Sequence, residues 1–211
     1  MSKKKLEEKE ESGDIHLLCL TGDLSKITEK LNLKGTKRIA ARSAIEILMG
    51  LSLKGYEGRS IGALYLIGDI EGIRRNSTQM IINPFKGWKD VNIRDLKQVP
   101  TIESFTQMDG AMVFDSRGFA HYAGRMINVR DNDCTGENLD FGKRKGKGSG
   151  TRWRAARYIT LKTRTIAVML SSNGTITVFK DGKEMGKLER RMCSMNSKDV
   201  KLYLFPGEED V

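Results

Sequence analysis

The stretch Ile61-Gly62-Ala63-Leu64-Tyr65-Leu66-Ile67 is apolar at both odd and even positions. A strand with one face in water would alternate apolar and polar residues, so this stretch predicts a β-strand that is covered on both faces. Upstream of it, Lys37 to Lys54 carries apolar residues at helical spacing and ends at Gly55, which predicts a helix that packs on the sheet. Together these segments favour an α/β fold.

Further elements are predicted on both sides of this pair. Two hairpins and three helices downstream suit a central mixed β-sheet flanked by helices, in one globular domain. The predicted strands are Asp14–Thr21, Ala111–Asp115, Phe119–Val129, Thr165–Leu170 and Thr175–Lys180, and the predicted helices are Asp23–Leu33, Asp90–Lys97, Thr101–Gln107 and Thr151–Leu161. Residues 1–33 are expected to form a charged, flexible segment with a short leading element, and residues 34–211 the main domain.

The charge balance of the 211-residue chain narrows the class of partner. Lys and Arg number 37 against 27 Asp and Glu, a net charge of +10, which attracts nucleic acid, anionic membranes or nucleoside triphosphates. The apolar runs are too short to span a bilayer, and the first ten residues lack the apolar core of a secretory signal. We therefore expect a cytoplasmic protein with no membrane partner.

The cysteines and histidines predict no metal cluster and no histidine-based catalysis. Cys19, Cys134 and Cys193 are widely separated and form no Cys-x-x-Cys pair, so we expect neither zinc binding nor a disulfide. His16 and His121 lie in apolar or strand-like runs, where packing or surface roles are expected.

The segment Gly146-Lys147-Gly148-Ser149-Gly150-Thr151-Arg152 leads from a glycine-rich loop into a predicted helix. The first N–H groups of a helix favour a phosphate, and Thr151 and Arg152 add a hydroxyl and a bidentate donor. This is not a Walker loop, because no Lys-Ser/Thr pair follows the last glycine. A solvated basic loop remains the alternative.

Asp109 and Gly110 precede a predicted strand. The carboxylate of Asp109 is able to hold a divalent cation or accept a proton, and Gly110 lets a ligand approach the backbone. An aspartate before a glycine is also a common turn former, and this interpretation remains open as well.

The basic residues around the loop permit a second interpretation, a non-catalytic module that binds nucleotides or nucleic acid. Trp153 would then stack on a base, while cationic side chains neutralise phosphates. The residues concerned are Lys143, Arg144, Lys145, Lys147, Arg152, Arg154 and Arg157.

Several short sequence segments, taken in order, resemble the diadenylate cyclase (DAC) domain family, and its archaeal branch above all. The founding member of this family is the N-terminal domain of the DNA-integrity scanning protein. The resemblance covers about Lys37 to Lys180. The segments are Glu57–Leu64, Ile67-Gly68-Asp69, Asn83-Pro84-Phe85, Met108-Asp109-Gly110-Ala111, Ala123-Gly124-Arg125, Gly150-Thr151-Arg152-Trp153-Arg154-Ala155-Ala156 and Ser171–Phe179.

The resemblance implies a metal-dependent enzyme that condenses two ATP into cyclic di-AMP and releases two pyrophosphates. It places Asp109 on Mn²⁺ or Mg²⁺ and near the ribose 3′-hydroxyl, with Gly110 and Ala111 shaping the pocket. ATP would be bound by Gly110, Ala111, Ile127, Gly150, Thr151, Arg152, Trp153, Arg154 and Ser171, of which Gly110, Ala111, Arg152 and Arg154, together with Asp109, are the catalytic candidates.

The resemblance also implies a face-to-face homodimer, in which each nucleotide attacks the other, with a higher oligomer possible and nucleic acid not expected for the domain alone. One departure is Trp153, which stands where the family has a histidine between two arginines. Tryptophan donates one N–H but neither binds a metal nor shuttles a proton. The positions around Ser172-Asn173 differ from the family as well.

Overall fold

A computed structural model describes residues 14–130 and 150–196. The strands are β1 (Asp14–Thr21), β2 (Ala63–Ile67), β3 (Ser77–Gln79), β4 (Ala111–Phe114), β5 (Ala120–Ile127), β6 (Ile166–Leu170), β7 (Ile176–Lys180) and β8 (Lys183–Asn196). The helices are α1 (Leu24–Leu31), α2 (Gly35–Lys54), α3 (Ile70–Arg75), α4 (Val99–Thr106) and α5 (Thr151–Lys162), with a 3₁₀ turn at Leu96–Gln98 before α4.

The strands form one mixed sheet in the order β1-β8-β7-β6-β2-β4-β5-β3. Near its middle, β2 runs parallel to β4 and antiparallel to β6. Helices cover the sheet, so the predicted mixed α/β architecture is confirmed.

The strand β2 is buried along its whole length, as its unbroken apolar sequence predicts. Tyr65 and Ile67 join a core cluster with the buried face of α2. Leu64 and Leu66 point the other way and join a cluster that contains Ala156, Tyr158 and Ile159 of α5. Because neighbouring strand residues point to opposite faces, β2 fixes α2 and α5 on the two sides of the sheet.

The predicted helix over Asp90–Lys97 is wrong. The backbone N–H of Ile93 donates to Gly118 O at 2.9 Å, and Val91 O accepts from Ala120 N at 2.8 Å. Bonds to the β4–β5 region therefore replace those that a helix would make within itself.

Helix α4 begins at Val99, two residues before the predicted start at Thr101, and has Pro100 in its first turn. Proline fits the first turn because the N–H donor that it lacks would have no intrahelical acceptor there. The sequence interpretation also missed α3, β3 and β8. The first two are short, and β8 is rich in charged residues, which hides its strand character.

The described residues divide into two compact units: 20–130 with 150–190, and the two ends, 14–19 with 191–196. Within the smaller unit, Cys19 and Cys193 form a disulfide with their Cα atoms 6.0 Å apart. The expectation of no disulfide is therefore wrong, because β1 and β8 are neighbours in the sheet although 174 residues separate the two cysteines. Within the described ranges, no helix is long and apolar enough to cross a membrane.

Candidate functional site

A cavity of about 510 Å³ lies within the larger unit, where the ends of β4, β5 and β6 meet the start of α5. Its size falls in the range of small-molecule sites. The apolar lining residues are Leu64, Met80, Ala111, Met126, Ile127, Val129, Ala155 and Met169, and the others are Asp109, Gly110, Arg125, Gly150, Thr151, Arg152, Trp153, Ser171 and Ser172. The lining therefore offers apolar surface that suits a ring and polar groups that suit a charged group.

Asp109 and Arg152 face each other at this cavity. Oδ1 of Asp109 is 4.0 Å from Nη2 of Arg152, and the Asp109 side chain is 89% exposed. Behind the guanidinium lies Gly62, where a Cβ would be 2.6 Å from Nη1 of Arg152. The contact with bare backbone at Gly62 sets the position of Arg152.

Gly110 connects Asp109 to β4 in a conformation that suits only glycine. Its φ is +99°, and a Cβ there would come within 2.8 Å of the backbone at Gly124 and Arg125. The sequence predicted a close approach of a ligand to Gly110, and the structure adds a close approach of the neighbouring strand. The adjacent Ala111 is buried and lines the cavity.

The N-terminus of α5 faces the same cavity. Gly150 is the N-cap, with extended backbone and no side-chain capping bond, and the first turn contains no acidic residue. The leading N–H groups of a helix, here those of Thr151 and Arg152 among them, have no intrahelical acceptor and attract an anion. The cavity thus offers a phosphate site built from backbone and one arginine.

The structure does not bring Arg154 to the lining of the cavity. Two residues along a helix correspond to a rotation of about 200°, so Arg152 and Arg154 point to different sides of α5. The role predicted for Arg154 in ATP binding and catalysis stays a prediction.

Ser171 and Ile127 both line the cavity. The hydroxyl of Ser171 is used within its own turn, where it donates to Thr175 O at 3.0 Å or to Asn173 and accepts from Thr175 N at 3.2 Å. Ile127 is buried at the end of β5 and contributes to the apolar wall.

Trp153 lines the cavity with its ring, while its N–H points elsewhere. The indole Nε1–H donates to Oε1 of Glu184 at 2.7 Å, and the ring lies edge-on to Phe179 with centroids 6.0 Å apart. The N–H is therefore engaged with β8.

Arg125 is a cavity residue to which the sequence interpretation gave no role. It is 6% exposed, and its guanidinium donates to Ser77 Oγ and Ser77 O at 2.7 Å and to Arg74 O at 3.2 Å, with its Cζ 4.7 Å from the Tyr122 ring centroid. Burial lowers the pKa of Arg125 from its usual value. The string Ala123-Gly124-Arg125 was the available signal, but only the fold shows that this arginine locks β3 to β5. Met80, Met126 and Met169 were missed too, since no local pattern marks them as neighbours.

Asp109 is the one carboxylate among the described lining residues. Across residues 14–130 and 150–196, no group of three or more His, Cys, Asp or Glu side chains is placed to hold a metal. Mg²⁺ is commonly held by one or two carboxylates together with substrate phosphates. The site thus fits a cation that arrives with a phosphorylated ligand, not a cation held by protein side chains alone.

A second, more open cavity of about 800 Å³ lies at the other end of α5. Its polar groups serve the fold: Lys37 Nζ donates to Arg164 O at 2.7 Å, Asp69 Oδ1 accepts from Gly72 N, and Thr163 Oγ1 donates to Ile159 O. Of the basic residues considered for nucleic-acid binding, Lys143, Arg144, Lys145 and Lys147 lie outside the described residues.

Comparisons with known proteins show which family the chain is similar to. The family model DAC, described as "DisA bacterial checkpoint controller nucleotide-binding", matches residues 51–184. A protein named diadenylate cyclase from Methanocaldococcus jannaschii is 31% identical, and the match covers 80% of this chain and 50% of the relative. A second protein named diadenylate cyclase, from Haloferax volcanii, is also 31% identical, and the match covers 67% of this chain and 49% of that relative. The chain spans about half the length of these curated relatives.

Two solved structures show weaker similarity. A hypothetical membrane spanning protein from Bacillus cereus has a TM-score of 0.47 and 15% identity, covering 72% of this chain and 62% of the other. DacA from Staphylococcus aureus has a TM-score of 0.44 and 21% identity, and the match covers 73% of this chain and 86% of the DacA chain. Since the family model matches more than half of the chain and includes most of the cavity's walls, the protein belongs to the DAC family of DisA-type nucleotide-binding domains.

Proposed function

We propose that this protein is a diadenylate cyclase that condenses two ATP into cyclic di-AMP and releases two pyrophosphates. The observation that carries the proposal is the meeting of Asp109, Arg152 and the N-terminus of α5 at one cavity. The names of the two curated relatives support the same reaction. Because its substrate is ATP, the enzyme is proposed to act in the cytoplasm.

The two sides of the cavity suit the two halves of ATP. Leu64, Met126 and Met169 belong to the wall proposed to hold the adenine ring. Arg152 and the first N–H groups of α5 would bind the triphosphate, where positive charge and the helix dipole favour it. This arrangement restrains the α-phosphate near Asp109.

The proposed cofactor is Mn²⁺ or Mg²⁺, held by Asp109 together with phosphate oxygens. When bound, such an ion neutralises charge on the phosphates and polarises the oxygen that it contacts. Asp109 would also help to remove the proton from the ribose 3′-hydroxyl, because its carboxylate is exposed at the cavity.

Each bond-forming step is a displacement at phosphorus. The 3′-oxygen of one ATP forms a bond to the α-phosphorus of the other, the bond to pyrophosphate breaks, and the hydroxyl proton passes to a base or to water. Two such steps give cyclic di-AMP and two pyrophosphates. Arg152 stabilises the charge that grows on the phosphoryl oxygens.

The proposed assembly is a homodimer, because cyclic di-AMP is two-fold symmetric and each cavity suits one nucleotide. Exposed apolar side chains continue outward from the cavity. Met80 and Met126 line it and are half exposed, and Ile82, two residues beyond Met80, is 91% exposed. This apolar rim, Met80–Ile82 with Met126, is the surface on which a second copy would pack.

The product assay with Asp109→Asn tests the proposal. The parent protein, incubated with ATP and Mn²⁺, is expected to form cyclic di-AMP detectable by mass spectrometry. The variant should lose at least about 100-fold in rate, the usual scale for a catalytic acid–base group. Its thermal unfolding should be unchanged, since the side chain is exposed.

The exposed Asp90→Asn is the matched control and should retain full activity. Absence of product from the parent at every metal and protein concentration would reject the enzymatic proposal. If the parent then still bound ATP, the non-catalytic nucleotide-binding module would be the correct alternative.

A further inference from the structure

The indole of Trp153 is fixed from three directions. Its N–H donates to Oε1 of Glu184 at 2.7 Å, its edge meets the Phe179 ring, and the Cζ of Arg157 lies 5.3 Å from its centroid. Trp153 is in the first turn of α5, next to Arg152. A side chain held in this way fixes the helical turn that carries it.

Glu184 reaches this position through an irregularity in β8. Val178 pairs with Gly186, but the next residue, Phe179, pairs with Glu184, so Met185 is an extra residue on β8. Such a bulge redirects the side chains beside it and is common near functional sites. The other carboxylate oxygen, Oε2, forms a partly exposed ion pair with Lys187 Nζ at 3.0 Å, so the two oxygens of Glu184 have different partners.

A second connection lies one turn along α5. Arg157 Nε donates to Gly182 O at 3.0 Å, in the turn between β7 and β8. The N-terminal half of α5 is thus tied to the β7–β8 hairpin at Trp153 and again at Arg157. The helix start needs such support, because its N-cap, Gly150, makes no side-chain capping bond.

We propose that Glu184 is a positioning residue, which acts through the Trp153 N–H to hold the first turn of α5 so that Arg152 and the leading N–H groups face the nucleotide. The inference rests on the proposed function for its kinetic consequences. An indole only donates, so it needs an acceptor, and the Glu184 carboxylate supplies one. The hydrogen bond between Trp153 and Glu184 thereby lets Trp153, which stands between Arg152 and Arg154, support the first turn of α5.

Kinetics with ATP test the proposal. Glu184→Ala is expected to raise KM for ATP and lower kcat/KM about 10-fold, the lower end for loss of a hydrogen bond to a charged acceptor. Glu184→Gln keeps an acceptor oxygen and should stay within about 3-fold of the parent. Trp153→Phe should match Glu184→Ala, and the double variant should be no worse than either, because both remove the same contact.

Lys187→Ala is the matched control, since it removes the other partner of Glu184 and leaves the Trp153 contact in place. Its kinetics should equal those of the parent. Parent-like values for Glu184→Ala would overturn the proposal. An equal loss in Glu184→Gln and Glu184→Ala would also overturn it, because an acceptor oxygen would then be insufficient.

A binding measurement separates this inference from the proposed function. The chain has two tryptophans, and Trp88 is 70% exposed, so Trp88→Phe leaves Trp153 as the sole tryptophan, whose emission can be excited selectively over that of the five tyrosines. In that background Glu184→Ala should shift the emission without nucleotide and weaken binding of a non-hydrolysable ATP analogue about 10-fold. If the parent forms no cyclic di-AMP, the cyclase proposal fails while this titration still decides the positioning role: an unchanged dissociation constant, or no binding by the parent, overturns it.

Discussion

At the scale of single residues, the position of Arg152 depends on what is missing beside it. Gly62 has no side chain, and the Arg152 guanidinium occupies the space that a Cβ would need. Its other neighbour is the Asp109 carboxylate, 4.0 Å away. A glycine in the central strand region is thereby part of the proposed phosphate site without contacting phosphate.

We predict that Gly62→Ala raises KM for ATP about five- to tenfold while the melting temperature changes little. The new methyl group displaces the far end of a flexible side chain and meets no backbone atom closer than 3.4 Å, so the fold tolerates it. The lost alignment of one charged hydrogen bond sets the size of the effect. Steady-state kinetics and thermal unfolding measure the two quantities.

Gly50→Ala is the control, because a Cβ at this helical position meets nothing within 4 Å. It should leave KM unchanged and stabilise the protein slightly, as alanine favours a helix. A KM for Gly62→Ala equal to that of Gly50→Ala would show that Gly62 does not position Arg152.

Much of the cavity followed from local sequence, because Asp109-Gly110 precedes a strand and Gly150-Thr151-Arg152 opens a helix. The predicted helix also implies that Arg152 and Arg154 point to different sides, because two residues along a helix are rotated by about 200° around its axis. The role of Glu184 and the identity of the side chain beside Gly62 were beyond prediction. They depend on a β-bulge in β8 and on a contact between α5 and the residue before β2, which no local pattern encodes.

At the scale of elements, the β4–β5 hairpin connects the cavity to a charged turn. Gly110, before β4, contacts the backbone at Gly124 and Arg125 of β5. At the other end of the hairpin, Oδ1 of Asp115 accepts from the backbone N–H groups of Arg117 at 2.8 Å and Phe119 at 3.0 Å. The turn thus sets the register that shapes the floor of the cavity.

We predict that the Asp115 turn makes the free energy of unfolding decrease at acidic pH. Burial raises the pKa of Asp115, but the N–H groups of Phe119 and Arg117 and the Arg117 guanidinium outweigh it and hold that pKa below its usual value. A pKa that is lower in the folded state stabilises the protein above the unfolded value of about 4, and this stabilisation is lost as the pH falls from that value through the folded one. Asp115→Asn should lower the unfolding free energy by about 1 to 2 kcal/mol at pH 6.

Urea unfolding at pH 6 and pH 3 measures the effect. The loss of stability on acidification should be smaller in Asp115→Asn than in the parent, because the ionised group is absent from the variant. Asp90→Asn is exposed and should follow the parent at both pH values. Parallel losses in all three proteins would contradict the role of Asp115.

The elements predicted best are those with strong periodicity, namely α2, β2, α5 and the two hairpins. The helix predicted at Asp90–Lys97 failed because tertiary bonds from Ile93 to Gly118 compete with local ones. β8 was missed because its sequence, Lys183–Asn196, is highly charged, and its pairing within the sheet makes it a strand. Local propensity predicts a strand poorly where pairing with a neighbouring strand determines the conformation.

At the scale of the whole molecule, the apolar rim beside the cavity suits a surface that packs on another chain. Ile81 is 42% exposed, Met80 and Met126 are about half exposed, and Ile82 is 91% exposed. A single exposed apolar residue is ordinary, but a contiguous group at the mouth of a site favours an interface.

We predict that Ile82→Glu reduces cyclic di-AMP synthesis at least about tenfold at low protein concentration, because a charge at a packed interface costs well over 1 kcal/mol. ATP affinity per chain should be unchanged, since Ile82 is not among the cavity's lining residues. Sedimentation and activity measured across protein concentrations test both expectations.

Leu96→Glu is the matched control, since Leu96 is also an apolar residue that is 85% exposed but lies outside the rim. It should behave as the parent does. Equal activity and equal self-association in the Ile82→Glu and Leu96→Glu variants would exclude the rim as the interface.

The pairing of β2 with both β4 and β6 has a kinetic consequence. Tyr65 lies beside Met112 on one side and Val168 on the other, so the strands around the cavity meet across loops of about 45 and about 100 residues. Closing such loops costs conformational entropy before the strand contacts form and offset that cost. Assembly of the sheet is therefore slow compared with that of a helical bundle. The cavity therefore forms only after these two long-range strand pairs are in place, and its appearance reports the pairing of β2 with β4 and β6.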